Sequence, residues 1–282
     1  MRLIGILGAG DLGGALARHL AAAHIASRIV IVDEAQTVAE GKALDIRQAS
    51  PIDAYTTEVL GSSDESAVVG ADAIVLADRS SGESTEWQGD LGVALMLRVA
   101  YLNSGGMIVC AGAAQIDIVE RGVREAAVPR HRLFGSAAEG LRSAVIAMTA
   151  LEAGCAPSEI SLTVVGRPPH EIIVPWDEVS IGGRRATSVL SAASVARLDA
   201  RLPRLWPPGP LTLATAAARV LSVAAKRKRD GLTVFVAMAR EEGDRGRVAM
   251  MPVTLGPHGV VQLLAPTLST RDRVRLDTVL GR

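Results

Sequence analysis

Leu3-Ile4-Gly5-Ile6-Leu7-Gly8-Ala9-Gly10-Asp11-Leu12-Gly13 is an apolar run that closes on glycines spaced G-x-G-x-x-G. Beyond it Leu12, Ala15, Leu16, Leu20 and Ala23 recur at helical spacing, so the glycines stand between a strand and the start of an amphipathic helix. In that setting each glycine has a physical task. Gly8 permits the tight turn, Gly10 lets the backbone approach a pyrophosphate, and Gly13 allows the helix to pack closely on the strand. The helix N-terminus supplies amide donors and positive potential for phosphates. Gly8, Gly10, Asp11, Leu12 and Gly13 are therefore the expected cofactor contacts, although the Asp11 carboxylate is a counter-signal beside phosphates unless it points away. Twenty residues after Gly13 the next apolar run ends at Asp33. A carboxylate there accepts hydrogen bonds from ribose hydroxyls and repels a 2′-phosphate, so the expected dinucleotide is NAD rather than NADP.

Outward from this stretch, short apolar runs alternate with helical patterns. Ile29–Val32, Thr56–Val59, Ala73–Leu76 and Met107–Cys110 follow Leu3–Leu7 as candidate strands, with a helical segment through Gly41–Ile46. Ala77, directly after the fourth run, joins the expected cofactor contacts. Strands alternating with helices imply parallel pairing through right-handed crossovers. After about residue 137 the texture changes: a helix over Gly140–Ala153, a strand over Ile160–Val165, a Pro-rich loop at Arg201–Pro210 and a helix over Leu213–Lys226. Three strand-like runs follow at Thr233–Met238, Val248–Leu255 and Val260–Leu264, then a helix from Thr270. The turns Gly243-Asp244-Arg245-Gly246 and Gly256-Pro257-His258-Gly259 suit hairpins. The expected class is α/β: an N-terminal Rossmann doubly wound parallel sheet, residues 1–136, followed by a mixed α+β C-terminal domain, residues 137–282.

Composition narrows the function classes. Thirty basic and thirty acidic side chains cancel, so no global field attracts nucleic acid or an anionic membrane. Lys226-Arg227-Lys228-Arg229 reads as a solvated helix end, where cations suit the dipole. Aromatic residues at 2% argue against stacking platforms for single strands. Cys110 and Cys155 lack metal or disulfide spacing. No apolar run approaches the roughly eighteen residues that span a bilayer. The apolar strand begins at once, with no leader pattern before it, so the expected location is cytoplasmic.

The chain resembles the lactate/malate dehydrogenase family. After Ile31-Val32-Asp33-Glu34 comes Glu40-Gly41-Lys42-Ala43-Leu44-Asp45-Ile46, with Ser50-Pro51, similar to the family's G-K-A-L-D-L segment on a helix that makes a subunit contact. Gly70-Ala71-Asp72-Ala73-Ile74-Val75 resembles its G-A-D-V-V-V run. Pro252-Val253-Thr254-Leu255-Gly256 with Gly259-Val260 is similar to its P-V-x-L-G-x-x-G-V hairpin. Leu211–Arg219 looks like the helix that borders its substrate pocket, and residues 186–210 form a shorter segment than usual. The resemblance implies hydride transfer between NAD and a 2-hydroxy/2-oxo acid, in a homo-oligomer that is a dimer or tetramer.

That chemistry demands a histidine held by an aspartate, an arginine gripping the substrate carboxylate, and a loop arginine polarising the carbonyl. At the loop position stands Gln88, or Thr85 when counted from Gly82-Glu83-Ser84. The family's L-D-S-A-R becomes Leu141-Arg142-Ser143-Ala144-Val145, and its N-P after the fifth strand becomes Gly112-Ala113. Its G-x-H-G-D becomes Gly166-Arg167-Pro168-Pro169-His170-Glu171, which puts Pro168 or Pro169 in register and His170 just outside it. Two accounts follow. In one, the chain is an oxidoreductase with a rebuilt site: His170 is the candidate acid/base with Glu171 tuning it, and Arg142 or Arg79 binds a small anionic substrate. In the other, it is a non-catalytic NAD(H)-binding pseudoenzyme, a sensor or partner subunit.

Overall fold

The computed structural model describes residues 1–82, 85–226, 231–238 and 247–281. Six parallel strands come first: β1 (Leu3–Leu7), β2 (Arg28–Val32), β3 (Glu58–Ser62), β4 (Ala73–Leu76), β5 (Met107–Cys110) and β6 (Leu133–Gly135). Between them run α1 (Asp11–Ala22), α2 (Gln36–Asp53), α3 (Gly89–Leu102) and α4 (Ile116–Arg124). The order β3-β2-β1-β4-β5-β6 places the topological switch between β1 and β4, so a crevice opens beyond their carboxyl ends. β4 and β5 are buried along their whole length, as their unbroken apolar sequences require in a parallel sheet covered on both faces.

The second half begins with α5 (Ala137–Ala153), then β7 (Ile160–Ser161), β8 (Val165–Arg167), β9 (Glu171–Ile173), β10 (Ser180–Ile181) and β11 (Arg184–Arg185). Next come α6 (Ala186–Val189), α7 (Ala192–Arg201), α8 (Pro210–Lys226), β12 (Leu232–Ala237), β13 (Val248–Gly256), β14 (Gly259–Leu263) and α9 (Thr270–Leu280). β12 lies antiparallel on β6 and carries the sheet onward through β13, β8 and β9, with β14 also on β13, eleven strands in all among the described residues. β7, β10 and β11 form a small separate sheet. The fold is thus α/β, a doubly wound parallel half followed by a mixed α+β half.

α8 packs along α1, and each helix carries a buried apolar face, with Ala217, Leu221 and Ala224 among the buried residues of α8 and Leu16, Leu20 and Ala21 among those of α1. Fully buried leucines such as Leu16 and Leu20 contribute about 1.5–3 kcal/mol each to the core around the glycine-rich first helix.

Some elements depart from the sequence expectations. The third strand lies at Glu58–Ser62 rather than Thr56–Val59, because Thr57 buries its hydroxyl against the Ala26 carbonyl just before the ladder begins. α5 begins three residues before Gly140, its first turn held in the core. Ile160–Val165 is not one strand: its ends belong to different sheets. The Pro-rich stretch is a short 3-10 turn, and α8 starts at Pro210 itself, where a missing N–H costs nothing. Gly256 and Gly259 pair across the expected hairpin. Arg227, Lys228 and Arg229 of the basic cluster, the Gly243–Gly246 turn, and Glu83-Ser84 lie outside the described residues. Among the described residues no helix is long and apolar enough to cross a membrane.

Candidate functional site

The glycine turn has the expected form. Gly8 lies at φ 118°, a conformation open to glycine, and its N–H donates to the Val32 carbonyl at 2.7 Å. A Cβ on Gly13 would stand 2.1 Å from the Gly8 carbonyl oxygen, so the helix reaches the strand only without one.

Gly10 reveals something the sequence expectation lacked. A Cβ there would land 2.2 Å from the carboxylate of Asp78, the second residue past β4. Asp78 is 8% exposed. Its Oδ1 accepts from the Gly13 amide at 2.9 Å and its Oδ2 from the Leu12 amide at 3.2 Å. The positive end of α1, where a phosphate is expected, thus holds a carboxylate of the chain itself. Asp11 points outward, its side chain 91% exposed, while Lys42 donates to the Gly10 carbonyl at 2.7 Å. Lys42 belongs to the segment read as a subunit contact, yet it braces the glycine turn.

Asp33 follows directly on β2, which ends one residue earlier than expected at Val32, and is buried. Four donors reach it: the amides of Ala9 (2.8 Å), Ala35 (3.0 Å) and Ser80 (2.9 Å), and the Ser80 hydroxyl (2.7 Å). Burial pushes its carboxyl up, but the Ala9, Ser80 and Ala35 hydrogen bonds outweigh that and hold it below the ordinary carboxylate value. Two oxygens offer about four acceptor positions, so Asp33 is saturated by the chain.

The same segment makes a third contact. Glu86 bridges back antiparallel to Asp78, and its Oε2 accepts from the Ala114 amide at 2.7 Å. Gly112 admits it, since a Cβ there would lie 2.2 Å from Oε2. Burial raises the Glu86 carboxyl above its usual range, the Ala114 and Ala113 amides oppose the shift, and Asp78 adds to it. Gly112-Ala113 is the position matched to the family's N-P pair, so an acid stands where a polar contact to substrate is expected. Ala77 is fully buried, its carbonyl accepting from Gln115 Nε2 at 2.9 Å.

As arranged, these groups do not fit a bound dinucleotide: its phosphates need amides that Asp78 holds, and its ribose needs acceptors that Ser80 fills. The fold supplies the cleft, and residues 78–80 and 86 fill it.

The candidate catalytic residues lie apart. Arg79 places its guanidinium 5.1 Å from the centre of the Trp87 ring. His170 is exposed at the tip of the β8–β9 hairpin, and Glu171 faces Arg275 of α9 (2.7 Å) instead of tuning the histidine. Arg142 donates to the Leu162 carbonyl (2.9 Å) and to Glu139 (2.9 Å). No hydrogen bond or ion pair among the described residues joins Arg79, Arg142 and His170. Val145, matched to the substrate-gripping arginine, is fully buried in the core.

Glu139 is the residue sequence reasoning missed. Its side chain is 3% exposed, yet Arg142, Arg219 (3.1 Å) and the Thr233 amide (3.0 Å) all reach it. It lies in the first turn of α5, just past the carboxyl end of β6, beside a cavity of about 460 Å³ between α5 and α8. Arg142, Ser143, Thr212, Thr215 and Arg219 line that cavity, which suits a small anion.

Residues 2–86 match the sequence profile of the lactate/malate dehydrogenase NAD binding domain. A malate dehydrogenase of Thioalkalivibrio sulfidiphilus is 27% identical over 302 aligned positions, covering 100% of this chain and 97% of that protein. One from a Roseiflexus species is 27% identical over 289, covering 95% and 92%. In fold, the malate dehydrogenase of Salinibacter ruber superposes with a TM-score of 0.88 at 19% identity, over 99% of this chain and 94% of that one. Lactate dehydrogenase of Cryptosporidium parvum, solved with lactic acid and nicotinamide adenine dinucleotide, gives 0.88 at 19%, over 99% and 95%.

Proposed function

Since the chain belongs to the lactate/malate dehydrogenase family, we propose that it is an NAD-dependent oxidoreductase whose substrate is a small anionic 2-hydroxy/2-oxo acid or a related compound, handled by a rebuilt site. The observation that carries this is the glycine turn of β1 and α1 with Asp33 beside it, in register at the carboxyl edge of the parallel sheet. Arg142 and Arg219 are the groups proposed to hold the substrate's carboxylate. They are drawn together by Glu139 at the start of α5, which rises from that same edge. Two guanidiniums around one carboxylate leave a net positive charge for an incoming anion. His170, exposed on its hairpin, is the proposed proton-transfer group, reaching substrate only if the hairpin closes over it. Oxidoreductase activity further requires residues 78–80 and 86 to leave the cleft.

The apolar Val145, at the position matched to the substrate-gripping arginine, supports a second role, a non-catalytic NAD(H)-binding subunit. A self-assembled dimer or tetramer is part of either proposal, supported by Leu44 and Ile52, which α2 exposes to solvent. One assay separates the two roles: NADH with a panel of 2-oxo acids including oxaloacetate and pyruvate, followed by absorbance at millimolar substrate. The oxidoreductase proposal expects NADH consumption with at least one acid, lost in Arg142→Met and in His170→Ala. No consumption with any of them, from a chain that takes up NADH, leaves the non-catalytic role.

A further inference from the structure

We propose that Asp78 is a built-in competitor for the dinucleotide: its carboxylate takes the place of a cofactor phosphate on the α1 amides, so NAD enters only when Asp78 withdraws. The proposal rests on the NAD assignment above and concerns how that same cleft is controlled.

Three independent contacts point one way. First, Asp78 accepts from the Leu12 and Gly13 amides, the donors a helix N-terminus offers to a phosphate, and it stands where a Gly10 side chain would otherwise go. The absent Cβ that is expected to admit a pyrophosphate here admits an aspartate. Second, Ser80, two residues on, completes the acceptor capacity of Asp33 with its amide and its hydroxyl, closing the ribose position. Third, the chain folds back so that Glu86 bridges to Asp78 and seats its own carboxylate on the amides of Ala113 and Ala114, by the end of β5. Phosphate position, ribose position and the end of β5 are each occupied from one side of the crevice.

Charge sharpens the competition. Asp33 and Asp78 are buried in the cleft, the half-buried Glu86 rests on the Ala114 amide, and Lys42 is bound to the Gly10 carbonyl at the rim. A diphosphate brought in beside a retained Asp78 would set like charges against each other in a site screened from water. Once Asp78 has swung out, Leu12 and Gly13 offer their amides and Lys42 adds a cation. Asp78 and phosphate are therefore mutually exclusive ligands of one helix end.

The test is titration of NADH, followed by its fluorescence, into the full chain and into Asp78→Ala and Asp78→Asn. Removing the carboxylate is expected to tighten NADH binding at least tenfold in Asp78→Ala, with a smaller gain in Asp78→Asn, whose amide oxygen still accepts one hydrogen bond. Asp78 also caps α1, so Asp78→Ala risks unfolding. Asp78→Asn keeps the shape and carries the test in that event, with circular dichroism reporting the fold. Without NADH the variants are expected to melt lower than the unaltered chain, and saturating NADH to raise their midpoints more than its own. If the unaltered chain binds NADH as tightly as the folded variants, the competitor role is overturned and the NAD assignment stands. If none of the folded proteins takes up NADH, the NAD assignment falls and the inference falls with it.

Discussion

Asp33 shows how one carboxylate can be both a motif residue and a structural one. Its place at the end of β2, twenty residues after Gly13, is legible from spacing alone. Its partners are not, because Ser80 lies 47 residues away and nothing in the local pattern marks that serine as a ligand. The four hydrogen bonds favour the charged form, so the folded carboxyl sits below its unfolded value. A depressed acid contributes stability that is present above the unfolded pKa, about 3.9, and is lost as pH falls through the folded one. The stability gap between the unaltered chain and Asp33→Asn should therefore be full at pH 7 and shrink as pH falls below about 4. Urea unfolding at a series of pH values checks this. A gap that is flat down to pH 2.5 would contradict the hydrogen-bonded, ionised Asp33.

Among the elements, α5 holds the widest separation between what the sequence says and what the fold does with it. Its helical periodicity is legible from Gly140 onward, yet its first turn, Ala137 to Glu139, lies before that stretch, is buried and carries an acid. Glu139 is tolerated there because two arginines and the Thr233 amide, 94 residues distant, compensate its charge. Glu139→Ala should cost about 3–5 kcal/mol, the range for removing one partner of a buried ionic cluster. Glu139→Gln, which keeps an acceptor for Thr233, should cost less. Chemical denaturation measures both, and a loss under about 1 kcal/mol for Glu139→Ala would show that the cluster is not structural. Elsewhere the strands β1, β2, β4 and β5 stand close to where their apolar runs place them, since burial on both faces leaves no other pattern. β6 is three residues long, too short to produce a period, and Ile160–Val165 divides because its two ends find partners in different sheets.

At the scale of the whole molecule, fold and chemistry part company. The glycine turn and the Asp33 position survive in a sheet whose order sets the crevice, while positions matched to family catalysis hold Val145, Gln88, Gly112 and a Pro-Pro pair. The sequence shows those replacements without showing what fills the vacated space. Glu86 enters beside Gly112 and Asp78 at Gly10, by contacts that depend on the chain turning back on itself after β4. A local pattern encodes the turn that admits a phosphate. It does not encode which anion arrives.

On this reading NAD binds at the start of α1 in exchange for Asp78. A crystal structure of the chain grown with NADH tests this most directly. The expected density places the diphosphate on the Leu12 and Gly13 amides, the adenosine ribose on Asp33 with Ser80 displaced, and Asp78 turned away. A dinucleotide bound while Asp78 still holds those amides, or bound anywhere else on the chain, would contradict it.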